Sequence, residues 1–309
     1  MAGDRSEIGP RRSGGYSRST ASRRSGRGSS TRSSASRRAG AARRAPRRPR
    51  SELNARLLVA VPAIALALFL VIEGGPVFAL GLFALGCICM HELYEMYERA
   101  QPVRLAGFLA LAGLLVAGLY GGQPQVLLAA LAALPLLFGL TLLQRHPSVG
   151  GMALTLLGIY WIGLALACAV LLRGLPHGQG IVIDVLVGTF LGDTGAYFGG
   201  RLFGQRPLAP SISPNKTVEG LLIGMVCAVL GVWFAGRYQD WLPGSHALVL
   251  GLGVALAAPV GDLFESFIKR ESGTKDSGAI FGAHGGALDR LDAVLFAAVV
   301  GFYIWSAYV

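Results

Sequence analysis

Residues Ser266 to Asp292 read SFIKRESGTKDSGAIFGAHGGALDRLD, with apolar runs on both sides. This stretch holds four basic residues, Lys269, Arg270, Lys275 and Arg290, and one of the chain's five histidines, His284. Two of the three lysines of the chain are here; the third, Lys216, lies in another polar loop. Charged islands between two membrane spans are costly to place and are commonly functional.

Outward from the island, apolar segments dominate from residue 57 onward. Each comes near the roughly 20 residues that cross a bilayer. Nine spans are expected, at about 57–73, 75–91, 104–121, 124–143, 151–173, 179–199, 217–236, 245–265 and 288–308. Gly74-Gly75-Pro76 and Gly121-Gly122-Gln123-Pro124 leave room only for tight turns, so the spans they join form antiparallel hairpins. The expected fold is an all-α integral membrane bundle.

The overall composition, 53% hydrophobic with a net charge of +11, does not suit one soluble domain. It divides near residue 56. Residues 1–56 contain 16 arginines, many Ser and Gly, and almost no large apolar groups. Such a segment cannot bury enough surface to offset its ordering entropy and is expected to be disordered. It lacks the apolar core of an export signal. Without an aromatic or folded RNA-binding pattern, its arginines suit a topogenic tail attracted to anionic lipid rather than a specific nucleic-acid partner.

With that tail in the cytosol, the loops on the same side carry ten basic residues: Arg99, Arg104, Arg145, Arg201, Arg206, Lys216, Lys269, Arg270, Lys275 and Arg290. The other side carries Arg173 and Arg237. This asymmetry predicts a cytosolic N-terminus and a cytosolic charged island. Cys87, Cys89, Cys168 and Cys227 fall inside apolar spans and read as small packing groups.

Asp262, Ser266 and Lys269 are spaced i, i+4, i+7, so one helix face carries all three. Asp289 and Asp292 share a face in the first turn of the last span. His284-Gly285-Gly286 permits a tight turn and close backbone approach to a ligand. Carboxylates from two helix ends with lysines alongside suit a Mg²⁺–polyphosphate substrate. The competing reading is an interfacial loop whose charges are simply solvated.

Two further constellations stand out. In the sixth span, Asp193 and Tyr197 are four apart, and the exit loop runs Pro210-Ser211-Ile212-Ser213-Pro214-Asn215-Lys216-Thr217 before Glu219. A helix starting at Thr217 would offer backbone N–H groups, with Lys216, as a phosphate cradle; a capped helix start after a proline break is the plainer alternative. The second span ends in Glu92, Glu95 and Glu98. These are either an acidic wall beside the lysines or an ordinary polar cap at the membrane edge. Asp184, nearer the far side of the sixth span, has no assigned role beyond a buried or interfacial partner.

The island resembles the signature of the phosphatidate cytidylyltransferases, the CDP-diacylglycerol synthases. Ser266, Ile268, Lys269, Arg270, Lys275, Asp276, Gly278, Phe281, Gly282, His284, Gly285, Gly286, Asp289, Arg290 and Asp292 meet the family pattern. Ala287 replaces a larger aliphatic residue. The run Asp193-Thr194-Gly195-Ala196-Tyr197 and the Ile-Ser-Pro, Lys-Thr and Glu-Gly pairs of 212–220 are similar to the family as well, with Asn215 where a second Lys is common. The resemblance covers about 185–305, so residues 176–309 form the expected catalytic four-span region and 57–175 a five-span supporting bundle with dimer contacts.

The resemblance implies transfer of the cytidylyl group of CTP to phosphatidate, giving CDP-diacylglycerol and pyrophosphate. Under it, Asp262 and Asp289 are the expected Mg²⁺ ligands, with Asp193 and Asp292 as direct or outer ligands; a second metal ion or a monovalent cation also fits. Lys216, Lys269 and Arg270 would hold phosphates. Ser266 would donate to a phosphate or ligate metal, and His284 would act as donor, orienter or turn former. Ser213, Asn215, Lys275, Asp276, Gly285, Gly286 and Arg290 complete the expected substrate contacts. Two rivals are a CTP-dependent enzyme of another membrane lipid and a multispan transporter. Against the transporter, the polar residues gather at one membrane face and no inverted repeat is visible.

Overall fold

The structure is a computed structural model that describes residues 49–274, 276–278 and 285–309. Lys275, Phe281, Gly282 and His284 of the signature lie outside the described residues, as do residues 1–48. Nine helices run through the described residues. They are α1 (Pro49–Glu73), α2 (Gly75–Met96), α3 (Arg104–Tyr120), α4 (Gln123–Leu142), α5 (Val149–Gly174), α6 (Gly178–Phe203), α7 (Val218–Gly236), α8 (Gly244–Glu271) and α9 (Leu288–Ser306). A two-stranded antiparallel hairpin, β1 (Pro207–Ala209) and β2 (Ser213–Thr217), links α6 to α7.

The helices end where the sequence breaks them. Gly74, at φ +67°, and Pro76 in the first turn of α2 separate α1 from α2. Ser148 accepts a hydrogen bond from Gly151 N at 3.3 Å to start α5, and Thr217 accepts one from Gly220 N at 3.1 Å to start α7. α1 begins at Pro49, ahead of the expected span start at 57. α8 continues to Glu271, so Asp262, Glu265 and Lys269 all lie on a continuous helix.

Six helices, α2 and α4 through α8, are long and apolar enough to cross a membrane. Their outward faces are apolar too: Leu127 and Leu128 of α4 are 61% and 67% exposed. Exposure of that kind suits lipid, since a water-facing helix would carry polar groups there. The protein is an all-α, multi-pass membrane protein.

Inside, α2, α3, α5 and α9 bury large apolar side chains, among them Met90, Leu93, Leu111, Leu114, Ile162, Leu172 and Leu288. α6 and α7 approach through small residues instead. A Cβ added to Gly220 would lie 2.8 Å from the carbonyl oxygen of Ala196, the close packing that membrane helices reach without large side chains. Ile159–Gly163 forms a π-helical turn within α5. There Trp161 sets its ring edge-on against Phe264 of α8, with centroids 4.8 Å apart. The N-terminal helices thereby brace the segment of α8 that carries Asp262 and Glu265.

Candidate active site

Three elements converge at one end of the C-terminal helices. α8 supplies Asp262, Glu265, Ser266 and Lys269, α9 supplies Asp289 and Asp292 in its opening turns, and the β-hairpin supplies Lys216. Helical spacing explains the α8 set. Asp262 and Glu265 are three apart and Glu265 and Lys269 four apart, so all three project along one face.

The hairpin is held in place by Glu219. Its Oε2 accepts from Gln205 N at 3.0 Å and Arg206 N at 3.2 Å. Arg270 Nε donates to the carbonyl of Ile212 at 3.1 Å and ties the hairpin turn to the end of α8. Lys216 Nζ then lies 2.6 Å from Asp262 Oδ1. The start of α7 takes the capped form that the sequence offered as the plainer alternative. Thr217 caps the helix, and the preceding Lys216 reaches the carboxylates.

Lys269 is more enclosed. Its Nζ is 2.7 Å from Glu265 Oε2 and 2.7 Å from Asp289 Oδ1. Asp289 is otherwise occupied as well, accepting from Ser277 N at 3.1 Å and Gly286 N at 2.7 Å. Its two oxygens therefore already serve one ammonium group and two backbone donors. Gly285, at φ +80°, makes the turn that presents Gly286 N to Asp289.

Among the described residues, one group of carboxylates could hold a metal ion. Oxygens of Asp262, Glu265 and Asp292 lie within 4.8 Å of one another. Glu265 is 1% exposed, and its Oε1 is buried with no hydrogen-bond partner among the described residues. A buried carboxylate oxygen without a donor is costly. Among the described residues, the ion pairs and the carboxylate trio set four carboxylates, Asp262, Glu265, Asp289 and Asp292, against two ammonium groups. Hard oxygen donors and an orphaned oxygen together fit a divalent cation such as Mg²⁺. Glu265 was not among the residues singled out from sequence, although its spacing from both Asp262 and Lys269 carried the signal.

A cleft of about 640 Å³ opens beside this cluster, between α6, α7, α8 and the hairpin. Asp193, Ser213, Asn215, Lys216 and Asp262 line its polar part. Gly192, Gly224, Ala228, Ala255 and Ala258 line an apolar part that follows the helices. The cleft and the carboxylate trio share Asp262.

Ser266 is half-buried one turn beyond Asp262. Asp276 and Arg290 are exposed, and Arg270 is engaged with the hairpin.

The sequence is similar to known proteins along most of its length. A profile of the Cytidylyltransferase family matches residues 54–308. The phosphatidate cytidylyltransferase of Bacillus subtilis (strain 168) is 33% identical over 258 residues, 79% of this chain and 94% of that protein. That of Brucella suis biovar 1 (strain 1330) is 32% identical over 260 residues, 83% of this chain and 94% of its own length. That of Helicobacter pylori (strain ATCC 700392 / 26695) is 48% identical over 124 residues, 40% of this chain and 46% of its own length. The family match runs through all nine helices, and on that breadth the chain belongs to the cytidylyltransferase family.

Proposed function

We propose that the chain transfers the cytidylyl group of CTP to phosphatidate, forming CDP-diacylglycerol and releasing pyrophosphate. The observation that carries this reading is the junction of two unlike surfaces at Asp262: a carboxylate–lysine cluster on one side and a cleft with a small-residue, apolar floor on the other. A substrate with a phosphate head and acyl chains matches both, and the family and its relatives supply the nucleotide.

The reaction joins two anions. A phosphate oxygen of the lipid attacks the α-phosphorus of CTP, the new P–O bond forms, and the bond to pyrophosphate breaks. No general base is needed, because a phosphomonoester is already largely ionised near pH 7. What the protein must provide is positioning and positive potential. Lys216 faces the cleft and would hold phosphate there. Lys269, gripped by Glu265 and Asp289, would set the positive potential behind the carboxylates. Asp262, Glu265 and Asp292 would hold Mg²⁺, with Asp193 nearby in the cleft. The ion would offset charge on the reacting phosphates and the departing pyrophosphate.

The basic residues on the loops that lead into this end of the bundle support a site on the cytoplasmic face of a bacterial inner membrane, where CTP is available. Incubating the purified protein with labelled CTP, phosphatidate and Mg²⁺ tests the reading. A labelled lipid that releases CMP on hydrolysis is expected, with none formed in the presence of a chelator. Labelling of an isoprenoid phosphate in place of phosphatidate would transfer the reading to another lipid.

A further inference from the structure

Glu92 stands near the end of α2, within the half of the chain to which the signature gave no role. Its side chain is nonetheless almost fully buried, 1% exposed. Oε2 accepts from Ser277 Oγ at 3.0 Å and from Leu288 N at 2.9 Å, and Oε1 accepts from Ala287 N at 2.9 Å. Ala287 N and Leu288 N belong to the start of α9, where backbone donors lack partners within the helix and a negative charge is favoured. Five residues on, Tyr97 Oη donates to the carbonyl of Ile268 at 2.7 Å. The end of α2 therefore holds both the end of α8 and the start of α9.

The same carboxylate accounts for two glycines of the signature. A Cβ on Gly278 would lie 2.7 Å from Glu92 Oε1, and its three nearest atoms all belong to Glu92. A Cβ on Gly286 would collide with Ser277 Oγ and Glu92 Oε2. These positions are small because the carboxylate of a distant helix fills the space beside them.

We infer that Glu92 is a positioning residue for cytidylyl transfer, holding residues 277–278 and 286–288 so that Asp289 can keep Lys269 against Glu265. The contacts run in an unbroken series. Glu92 fixes Ser277 and the start of α9, Ser277 N and Gly286 N bond Asp289, Asp289 pairs with Lys269, and Lys269 pairs with Glu265. Glu92 itself touches neither the cleft nor the carboxylate trio. The inference rests on the proposed reaction for its kinetic readout only.

Glu92→Gln is the informative variant. Ala287 N and Leu288 N bond different oxygens, so whichever way the amide turns, its NH₂ faces one of the two donors. Hydrogen exchange on the full chain in detergent should then rise in the peptide spanning 285–290 by about tenfold or more, the scale of losing a bond to a charged acceptor. The rest of the bundle should exchange as before. Turnover should fall by about 10²-fold, the cost of a small misplacement at a reacting centre, with KM for CTP nearly unchanged. If Glu92→Ala folds poorly, Ser277→Ala removes a single donor and should give a weaker form of the same pattern.

A double-mutant cycle adds a readout that general destabilisation would not reproduce. Gly278→Ala should be damaging in the native background and much less so beside Glu92→Ala, where the space it needs is free. Unchanged local exchange, or exchange rising evenly over all helices with additive Gly278 and Glu92 effects, would overturn the inference. If the native protein made no CDP-diacylglycerol, the reaction reading would fail, and exchange and the cycle's effect on thermal stability would still decide whether Glu92 holds the segment.

Discussion

α6 carries two aspartates nine residues apart, Asp184 and Asp193, and the regions around them differ in kind. Asp193 lines the cleft with Lys216 and Asp262, where opposite charges meet and open space adjoins them. Asp184 is 0% exposed and accepts a single hydrogen bond from Gln239 Nε2 at 2.8 Å. Its region is filled with rings: His177 stacks on Trp241 at 4.2 Å, Trp241 meets Trp305, and His246 stacks on Tyr308 at 3.9 Å. A buried acid in a membrane helix invites a functional reading. The pair shows what more is needed: convergent like charges, cations beside them and room for a ligand.

The largest effect should come from the trio at the first region. Asp262→Asn, Glu265→Gln and Asp292→Asn should each lower turnover by about 10³-fold, since each would remove a charged ligand of the Mg²⁺ proposed to offset phosphate charge. The check is product formation over a Mg²⁺ titration with folding monitored in detergent. Asp289→Asn should cost less, because the oxygens of Asp289 are already committed to Lys269, Ser277 N and Gly286 N. Equal losses at all four positions would erase the distinction between ion holders and the Lys269 clamp. Near-normal turnover of Asp262→Asn at ordinary Mg²⁺ would remove the ion from that site.

Next come the cations. Lys216→Met and Lys269→Met keep much of the apolar stem and delete the charge. Each should slow turnover by about 10²-fold, with CTP affinity changing less, because positive potential counts most as charge moves onto pyrophosphate. Lys216 faces the cleft, so its variant should show the larger change in KM for the substrates of the two. A reversed order would mean that Lys269 leaves its pairing with Glu265 and Asp289 to meet substrate.

How much of this was legible in the sequence depends on distance along the chain. The spans were readable because apolar length and glycine–proline breaks are local, and the helices fall close to the expected ranges. The convergence of Lys216 with Asp262 was anticipated from membrane side alone. Glu265 was visible in principle through its spacing but is surrounded by apolar positions that read as span. The role inferred for Glu92 was not visible, because its partners lie 185 to 196 positions away. Only the packing of α2 against α9 brings them together. The arginine-rich segment stands at the other extreme: its composition alone suggests that deleting residues 1–50 leaves turnover per folded molecule within a few-fold, measured on correctly inserted protein.

The smallest effect should come from the second region, and its sign is informative. Among the described residues, Asp184 Oδ2 and Gln239 Oε1 are both buried acceptors without a donor. A carboxylate and an amide oxygen cannot satisfy each other, whereas two amides can pair through one N–H···O bond in each direction. Asp184→Asn keeps an acceptor for Gln239 Nε2 and adds a donor that the site lacks. It should leave turnover unchanged and hold or raise thermal stability, by about 1 kcal/mol for a gained buried hydrogen bond. Asp184→Leu removes the acceptor, strands the Gln239 amide and should lower stability by a similar amount or more, again without a specific loss of turnover. The measurement is a detergent melting curve beside the CDP-diacylglycerol assay. A large loss of turnover in Asp184→Asn at unchanged stability would show that charge at this end of α6 is used in the reaction cycle, and the contrast between the two aspartates would collapse.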